Sequence, residues 1–155
     1  MFVVIISSAQ ILIMADGIIK LIIAEDHAGL RETLVAVFRR FSQEIIVVAE
    51  AENGKELIKK VELYSPDIVL TDIQMPLMDG IEATRIIKAR HPYIGIIAFS
   101  MLNDAFSLKD MIAAGAQGYL LKSADKEELL KAVKEVYGGG IYYSKEVEGY
   151  ISGLD

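Results

Sequence analysis

The chain has 155 residues, 53% hydrophobic and 25% charged, which suits a single domain with a real core and excludes disordered and collagen-like classes. Its 16 Lys and Arg face 22 Asp and Glu for a formal charge of −6, with no basic run, so the positive footprint needed for direct nucleic-acid contact is missing. No cysteine is present, which rules out disulfides, thiolate metal sites and cysteine nucleophiles, and two well-separated histidines, His27 and His91, argue against a histidine metal cluster.

Residues 2–14 (FVVIISSAQILIM) are apolar and uncharged. As a helix this run spans only about 20 Å, short of a hydrocarbon core of roughly 30 Å. No basic residue precedes it, so it does not read as a secretory signal or a membrane span. Three readings remain: an extra strand or helix, a partner-binding arm, or an extension upstream of a start at Met14. The third is favoured, because the fold-like pattern begins only at Ile18. An ordered extension would bury itself in a neighbouring surface. Residues 1–16 are therefore set apart from a folded unit at 17–140, with 141–155 as a tail holding a helical turn or two from Ser144.

From Ile18 onward, short apolar runs alternate with amphipathic ones. Runs at 18–24, 45–49, 67–71, 94–99 and 117–121 are rich in Ile and Val and apolar nearly throughout, as in strands buried on both faces. Between them Leu30, Leu34, Phe38 and Phe41, then Leu57, Val61 and Tyr64, then Ile81, Thr84 and Ile87, and finally Leu129, Val133 and Val136 recur at helical spacing. The helix at 104–114 has the poorest stripe and is expected to pack most loosely. Asn53 and Gly54 open the second helix, Ser65-Pro66 closes it, and Gly115 and the run Gly138, Gly139, Gly140 close the fourth and fifth. Five βα units imply an α/β fold with a doubly wound, five-stranded parallel sheet and right-handed crossovers.

Ligands of such sheets bind beyond the carboxyl ends of the strands. There the chain places Glu25 and Asp26 after strand one, Asp72 after strand three, Ser100 after strand four and Lys122 after strand five; Glu50 ends strand two, off to one side. Each alone reads as a solvated strand end, Ser100 as a turn or cap, and His27 as a cap or packing residue. Together they are costly without a partner, because three converging carboxylates repel one another. Mg²⁺, which takes carboxylates, waters and phosphate oxygens, would make the set tolerable. Asp72 would then be a nucleophile forming an aspartyl phosphate, with Lys122 and Ser100 holding the phosphoryl oxygens. Pro76 and Gly80 fix a tight return path after Asp72.

The stretch 21–122 resembles the receiver domain of bacterial two-component response regulators. The resemblance is carried by LIIAEDH (21–27), DIVLTDIQMPLMDG (67–80), IIAFSMLND (96–104) and GAQGYLLKSADKEELLKAV (115–133). With GGGIYYSKEV following, it is closest to the branch whose receivers precede a LuxR-type helix-turn-helix. The resemblance implies a flavodoxin-like receiver fold with strand order 2-1-3-4-5, the order for which the same family serves as a general example. It implies Mg²⁺ held by Glu25, Asp26, Asp72 and the backbone carbonyl of Gln74, and phosphorylation of Asp72 by a sensor histidine kinase. Ser100 and Lys122 would contact the phosphoryl group, and Tyr119 would swing inward as Ser100 moves, changing the face formed by helix four, strand five and helix five. The Gln74 side chain would stand near the path of the attacking water. The implied protein is a cytoplasmic, phosphorylation-activated switch controlling transcription, not an enzyme and not a membrane protein. Its DNA-binding output domain would lie outside this chain, and phosphorylation could pair it with a second copy. Three other readings stand beside this one: a stand-alone receiver whose face acts on another protein, a pseudo-receiver acting only by protein contact, and an aspartyl-phosphate phosphohydrolase. The phosphohydrolase chemistry wants Asp-x-Asp where this chain has Asp72-Ile73-Gln74.

Overall fold

The computed structural model describes residues 17–101 and 105–153. The expectations for residues 1–16, and for Asp104 at the head of the fourth helix, fall outside the described residues. In chain order the elements are β1 (Ile19–Ala24), α1 (Ala28–Arg39), β2 (Ile45–Ala51), α2 (Gly54–Tyr64), β3 (Ile68–Thr71), α3 (Gly80–Arg90), β4 (Gly95–Ser100), α4 (Ala105–Ala113), β5 (Gly118–Leu121), α5 (Lys126–Tyr137), β6 (Tyr142–Tyr143) and α6 (Lys145–Ser152). The five expected strands and helices are all there, with bounds shifted by one or two residues.

All strand pairs are parallel, in the order β2-β1-β3-β4-β5-β6. The sheet thus has six strands, where the sequence suggested five. The cause lies in the glycine run. Gly139 sits at φ +89, a left-handed conformation open to glycine, and reverses the chain at the end of α5. The segment expected to be a tail then returns beside β5, pairing Tyr142 with Gly118 and Tyr143 with Tyr119. Two residues are a weak strand signal, and Ile-Tyr-Tyr after three glycines gave no alternation to read.

Two apolar layers hold the sheet. Ile22, Val69, Ile96 and Ala98 face Leu57, Val61, Ile87 and Met111, so α2, α3 and α4 cover one side. Leu21, Ile23, Leu70, Ile97 and Leu120 face Phe38, Leu129, Val133 and Val136, so α1 and α5 cover the other. Alternate residues of each strand therefore meet apolar partners on both sides, which is why the strands read as unbroken apolar runs. Leu108 and Met111 of α4 are fully buried, so the described part of that helix is not loosely packed, contrary to the expectation. Asn53, Asp79 and Asp125 each accept the backbone N–H three residues on, at 2.8 to 2.9 Å, and so fix the starts of α2, α3 and α5. These caps set where the loops above the sheet begin.

Candidate functional site

The loops at the carboxyl ends of β1, β3, β4 and β5 enclose a cleft of about 300 Å³ lined by Asp26, His27, Asp72, Gln74, Ser100, Met101 and Lys122. A larger hollow of about 570 Å³ lies along the outer side of α5, lined by Leu130, Lys131, Lys134 and Gly138 among others. It is remote from the strand ends, and chemistry rather than volume selects the smaller cleft.

Asp72 is 5% exposed and held on both carboxylate oxygens. The N–H of Ile73 donates to Oδ1 at 2.7 Å, and the Lys122 ammonium donates to Oδ2 at 2.9 Å. The loop that follows folds back tightly: Gly80 N–H donates to the Ile73 carbonyl at 2.7 Å, and a Cβ on Gly80 would stand 2.1 Å from the Asp72 carbonyl oxygen. Gly80 is therefore required by close approach, which is the physical content of the Asp72-to-Gly80 spacing. Within this loop Leu77 takes φ 68 with its side chain out in solvent.

Glu25 is 1% exposed, with Lys122 Nζ 3.3 Å from Oε2 and 3.5 Å from Oε1. The backbone N–H of His27 donates to Oε1 at 3.3 Å. Oε2 makes no hydrogen bond, making Glu25 the buried acid whose needs are unmet among the described residues. Burial, then the nearby Asp72 charge, raises the Glu25 pKa above the ordinary glutamate value, against the opposing pull of Lys122. For Lys122, burial alone would lower the pKa, but the hydrogen bond and charge of Asp72, then those of Glu25, outweigh it and raise it. One ammonium thus answers two buried carboxylates, and Asp26 lines the same cleft. The negative charge is in excess.

A buried carboxylate oxygen without a hydrogen bond, beside further carboxylates, is the environment a hard divalent cation fits. Glu25, Asp26 and His27 also each offer a ligand atom within 4.8 Å of the others. The ring of His27 behaves differently from expectation. It stands at the N-cap position of α1 without a side-chain capping bond and is 80% exposed, so it neither caps nor packs. Its Nδ1 lies 3.6 Å from Glu25 and 3.8 Å from Asp26.

The remaining expected residues are distributed as follows. Ser100 ends β4, and its carbonyl accepts the Lys122 N–H at 2.9 Å, so it borders the cleft. Tyr119 is buried within β5 in the layer that holds Met111 and Leu108. Glu50 stays out of the cleft, as expected, and pairs instead with Arg31.

Arg31 was not apparent from sequence. Its guanidinium donates to the Glu25 backbone carbonyl at 2.7 Å, to Glu50 at 3.2 Å and to Glu52 at 3.2 Å. It ties the turn carrying Glu25 and Asp26 to the end of the adjacent strand. Nothing in the local pattern marks an arginine one turn into a helix, and only the surplus of acid at the strand ends hints at a cation nearby.

Residues 21–134 match the response regulator receiver domain family. The chain belongs to that family. Within it, the receiver domain is 37% identical over 129 residues to the transcriptional regulatory protein DegU of Brevibacillus brevis, covering 83% of this chain and 54% of DegU. It is 38% identical over 124 residues to the oxygen regulatory protein NreC of Staphylococcus aureus, covering 79% of this chain and 57% of NreC. Among solved structures it superposes on a two-component response regulator of the LuxR family from Aurantimonas sp. SI85-9A1 with a TM-score of 0.82, 30% identity, and coverage of 88% of this chain and 97% of that one. The receiver domain spans a little over half the length of the curated relatives it matches. No helix of the described residues is long and apolar enough to cross a membrane.

Proposed function

We propose that this receiver domain accepts a phosphoryl group on Asp72 from a sensor histidine kinase and passes the change to a transcriptional output domain. The observation that carries the reading is the buried Asp72–Lys122–Glu25 cluster, with one cation for two carboxylates and an unsatisfied acceptor on Glu25. A structural ion pair would be balanced; this one has spare negative charge arranged toward a cleft.

Glu25, Asp26, Asp72 and the Gln74 carbonyl would hold Mg²⁺. When bound, the ion supplies neutralising charge for the phosphoryl oxygens. The chain's own residues do the rest. An Asp72 carboxylate oxygen attacks phosphorus; the O–P bond forms as the donor's P–N bond breaks, and the imidazole nitrogen keeps the electron pair. Lys122 moves from the Asp72 carboxylate to a phosphoryl oxygen, and the Ser100 hydroxyl donates to another. Gln74 stands where a phosphohydrolase needs a second Asp, so the reading is of one slow turnover, a switch and not a catalyst. The phosphorylated state would be the one in which Ser100 and the following loop close on the phosphoryl group and Tyr119 repacks. The likeness to the transcriptional regulatory protein DegU supports an output in transcription.

The test is incubation with acetyl phosphate and Mg²⁺, read by intact mass. One phosphoryl group should appear on the chain, none on Asp72→Asn, and none after chelation. Equal labelling of Asp72→Asn would remove Asp72 as acceptor, and rapid repeated turnover would favour the phosphohydrolase. A chain that stays unlabelled under all conditions would favour the pseudo-receiver.

A further inference from the structure

The edge of the sheet beyond β5 is covered by the chain itself, and the manner of attachment is unusual. The parallel ladder runs from the Tyr142 N–H to the Gln117 carbonyl at 3.0 Å and from the Ser144 N–H to the Tyr119 carbonyl at 3.0 Å. The next rung would join the Leu121 N–H to the Ser144 carbonyl. That carbonyl is already committed, because Ser144 begins α6 and accepts the Glu148 N–H at 3.0 Å. The Ser144 hydroxyl takes its place and accepts the Leu121 N–H at 3.2 Å. Ser144 thus occupies the N-cap position of α6 without capping it with its side chain. Its hydroxyl is spent on β5 instead, and the residue is buried. One turn on, Val147 is 0% exposed within the same apolar layer as Tyr119, Leu108 and Met111, with Tyr143 and Ile151 packed against that layer.

This attachment reaches the cleft through one peptide unit. Leu121, whose N–H Ser144 holds, precedes Lys122, whose ammonium lies 2.9 Å from Asp72. A phosphoryl group on Asp72 Oδ2 would come between that oxygen and the ammonium. Moving the lysine bears on the carboxyl end of β5, the stretch to which the Ser144 hydroxyl is bonded.

We propose that residues 142–152 are a detachable cover on β5, docked while Asp72 is unmodified and loosened when Asp72 carries a phosphoryl group. The proposal rests on the reading of Asp72 as phosphoryl acceptor and adds the surface that responds: the Gln117 and Tyr119 carbonyls, the Leu121 N–H and the apolar ground under Val147. Because the coupling is a single free energy shared by two sites, it runs both ways, and undocking the cover must favour the modified state of Asp72.

The experiment is backbone hydrogen exchange at 142–152 on the chain treated with acetyl phosphate and Mg²⁺, with intact mass read on the same sample. In the labelled fraction these amides should exchange at least tenfold faster than in the unlabelled chain, while those of β1 and β3 stay protected. In the converse arm, Val147→Asp, which lies outside the cleft, should take up label several-fold faster than the parent. Val147→Ala and Ser144→Ala should do so in the same direction to a smaller degree, which keeps the arm readable if the charged variant does not fold. A labelled chain with unchanged or slower exchange at 142–152 overturns the cover and leaves Asp72 as acceptor. So do folded variants that label at the parent rate. A chain that takes no label overturns the reading of Asp72 itself, and the cover's role with it.

Discussion

Asp125 and Asp72 are both aspartates on loops that leave a strand at its carboxyl end, and the fold treats them oppositely. Asp125, like Asp79, accepts a backbone N–H at the start of a helix and lies among groups that need it. Asp72 is buried beside a second buried acid, Glu25, with one lysine between them and an acceptor left over. The cap carboxylates are balanced where they stand and work for the folded state. The cleft carboxylates are in surplus, so a cation has something to gain by arriving. Substitutions at the two places should therefore differ in kind as well as in size.

The largest effect belongs to Lys122. Lys122→Ala leaves Glu25 and Asp72 facing each other without a counter-charge, and removing one partner of a buried pair costs about 3 kcal/mol or more. Chemical denaturation at neutral pH should show that loss, and added Mg²⁺ should recover part of it. Stability that is unaffected by Mg²⁺ in the variant would show that the acids are not in surplus. Next comes Arg31→Ala, which removes a charged donor from the Glu25 carbonyl at a cost of about 2 kcal/mol and releases the turn that carries the acidic pair. Mg²⁺ affinity, read by calorimetry, should fall with it. Glu52→Ala, which deletes only an exposed end of the same network, should cost under about 1 kcal/mol and leave Mg²⁺ binding intact. Third, Asp125→Ala should cost about 1 kcal/mol of stability and leave acetyl phosphate labelling at the parent rate. A cap variant that changed labelling would dissolve the distinction between the two kinds of acid.

The same distinction governs what could be read from the sequence. The five buried strands were legible because both faces of each strand are covered, which leaves runs such as LIIA and IVL with no polar interruption. Glu25, Asp26, Asp72, Ser100 and Lys122 were legible as candidates because they follow or end such runs; the fold brings Asp26, Asp72, Ser100 and Lys122 to one cleft, with Glu25 buried behind them against Lys122. The roles of Arg31 and Ser144 at the site were hidden because the group each holds there is backbone: the Glu25 carbonyl and the Leu121 N–H. A side-chain pattern carries no record of which main-chain group lacks a partner. The sixth strand was missed for a related reason, since its position follows from the reversal at Gly139 and not from any periodicity of its own. His27 looked like a cap, yet its ring makes no capping bond and stands 3.6 and 3.8 Å from the two carboxylates beside it, an outcome that position alone does not decide.

The smallest effect sharpens the comparison most, because its sign is opposite to that of the caps. Burial and the Asp72 charge raise the Glu25 pKa, so between the ordinary glutamate range and that raised value the folded chain binds more protons than the unfolded chain. Stability then falls as pH rises through this window, and the deficit stays constant above it. Glu25→Gln cannot titrate and lacks that slope. Without Mg²⁺ the variant should match the parent in acid and be slightly more stable than it at neutral pH, by less than the loss at Asp125. With Mg²⁺ the order should reverse, because the parent gains a ligand that the amide binds poorly. Melting temperatures of the two chains across pH, with and without the ion, decide it. A Glu25→Gln variant that is less stable than the parent at every pH without Mg²⁺ would mean that Glu25 is a satisfied structural acid after all, of the same kind as Asp79 and Asp125.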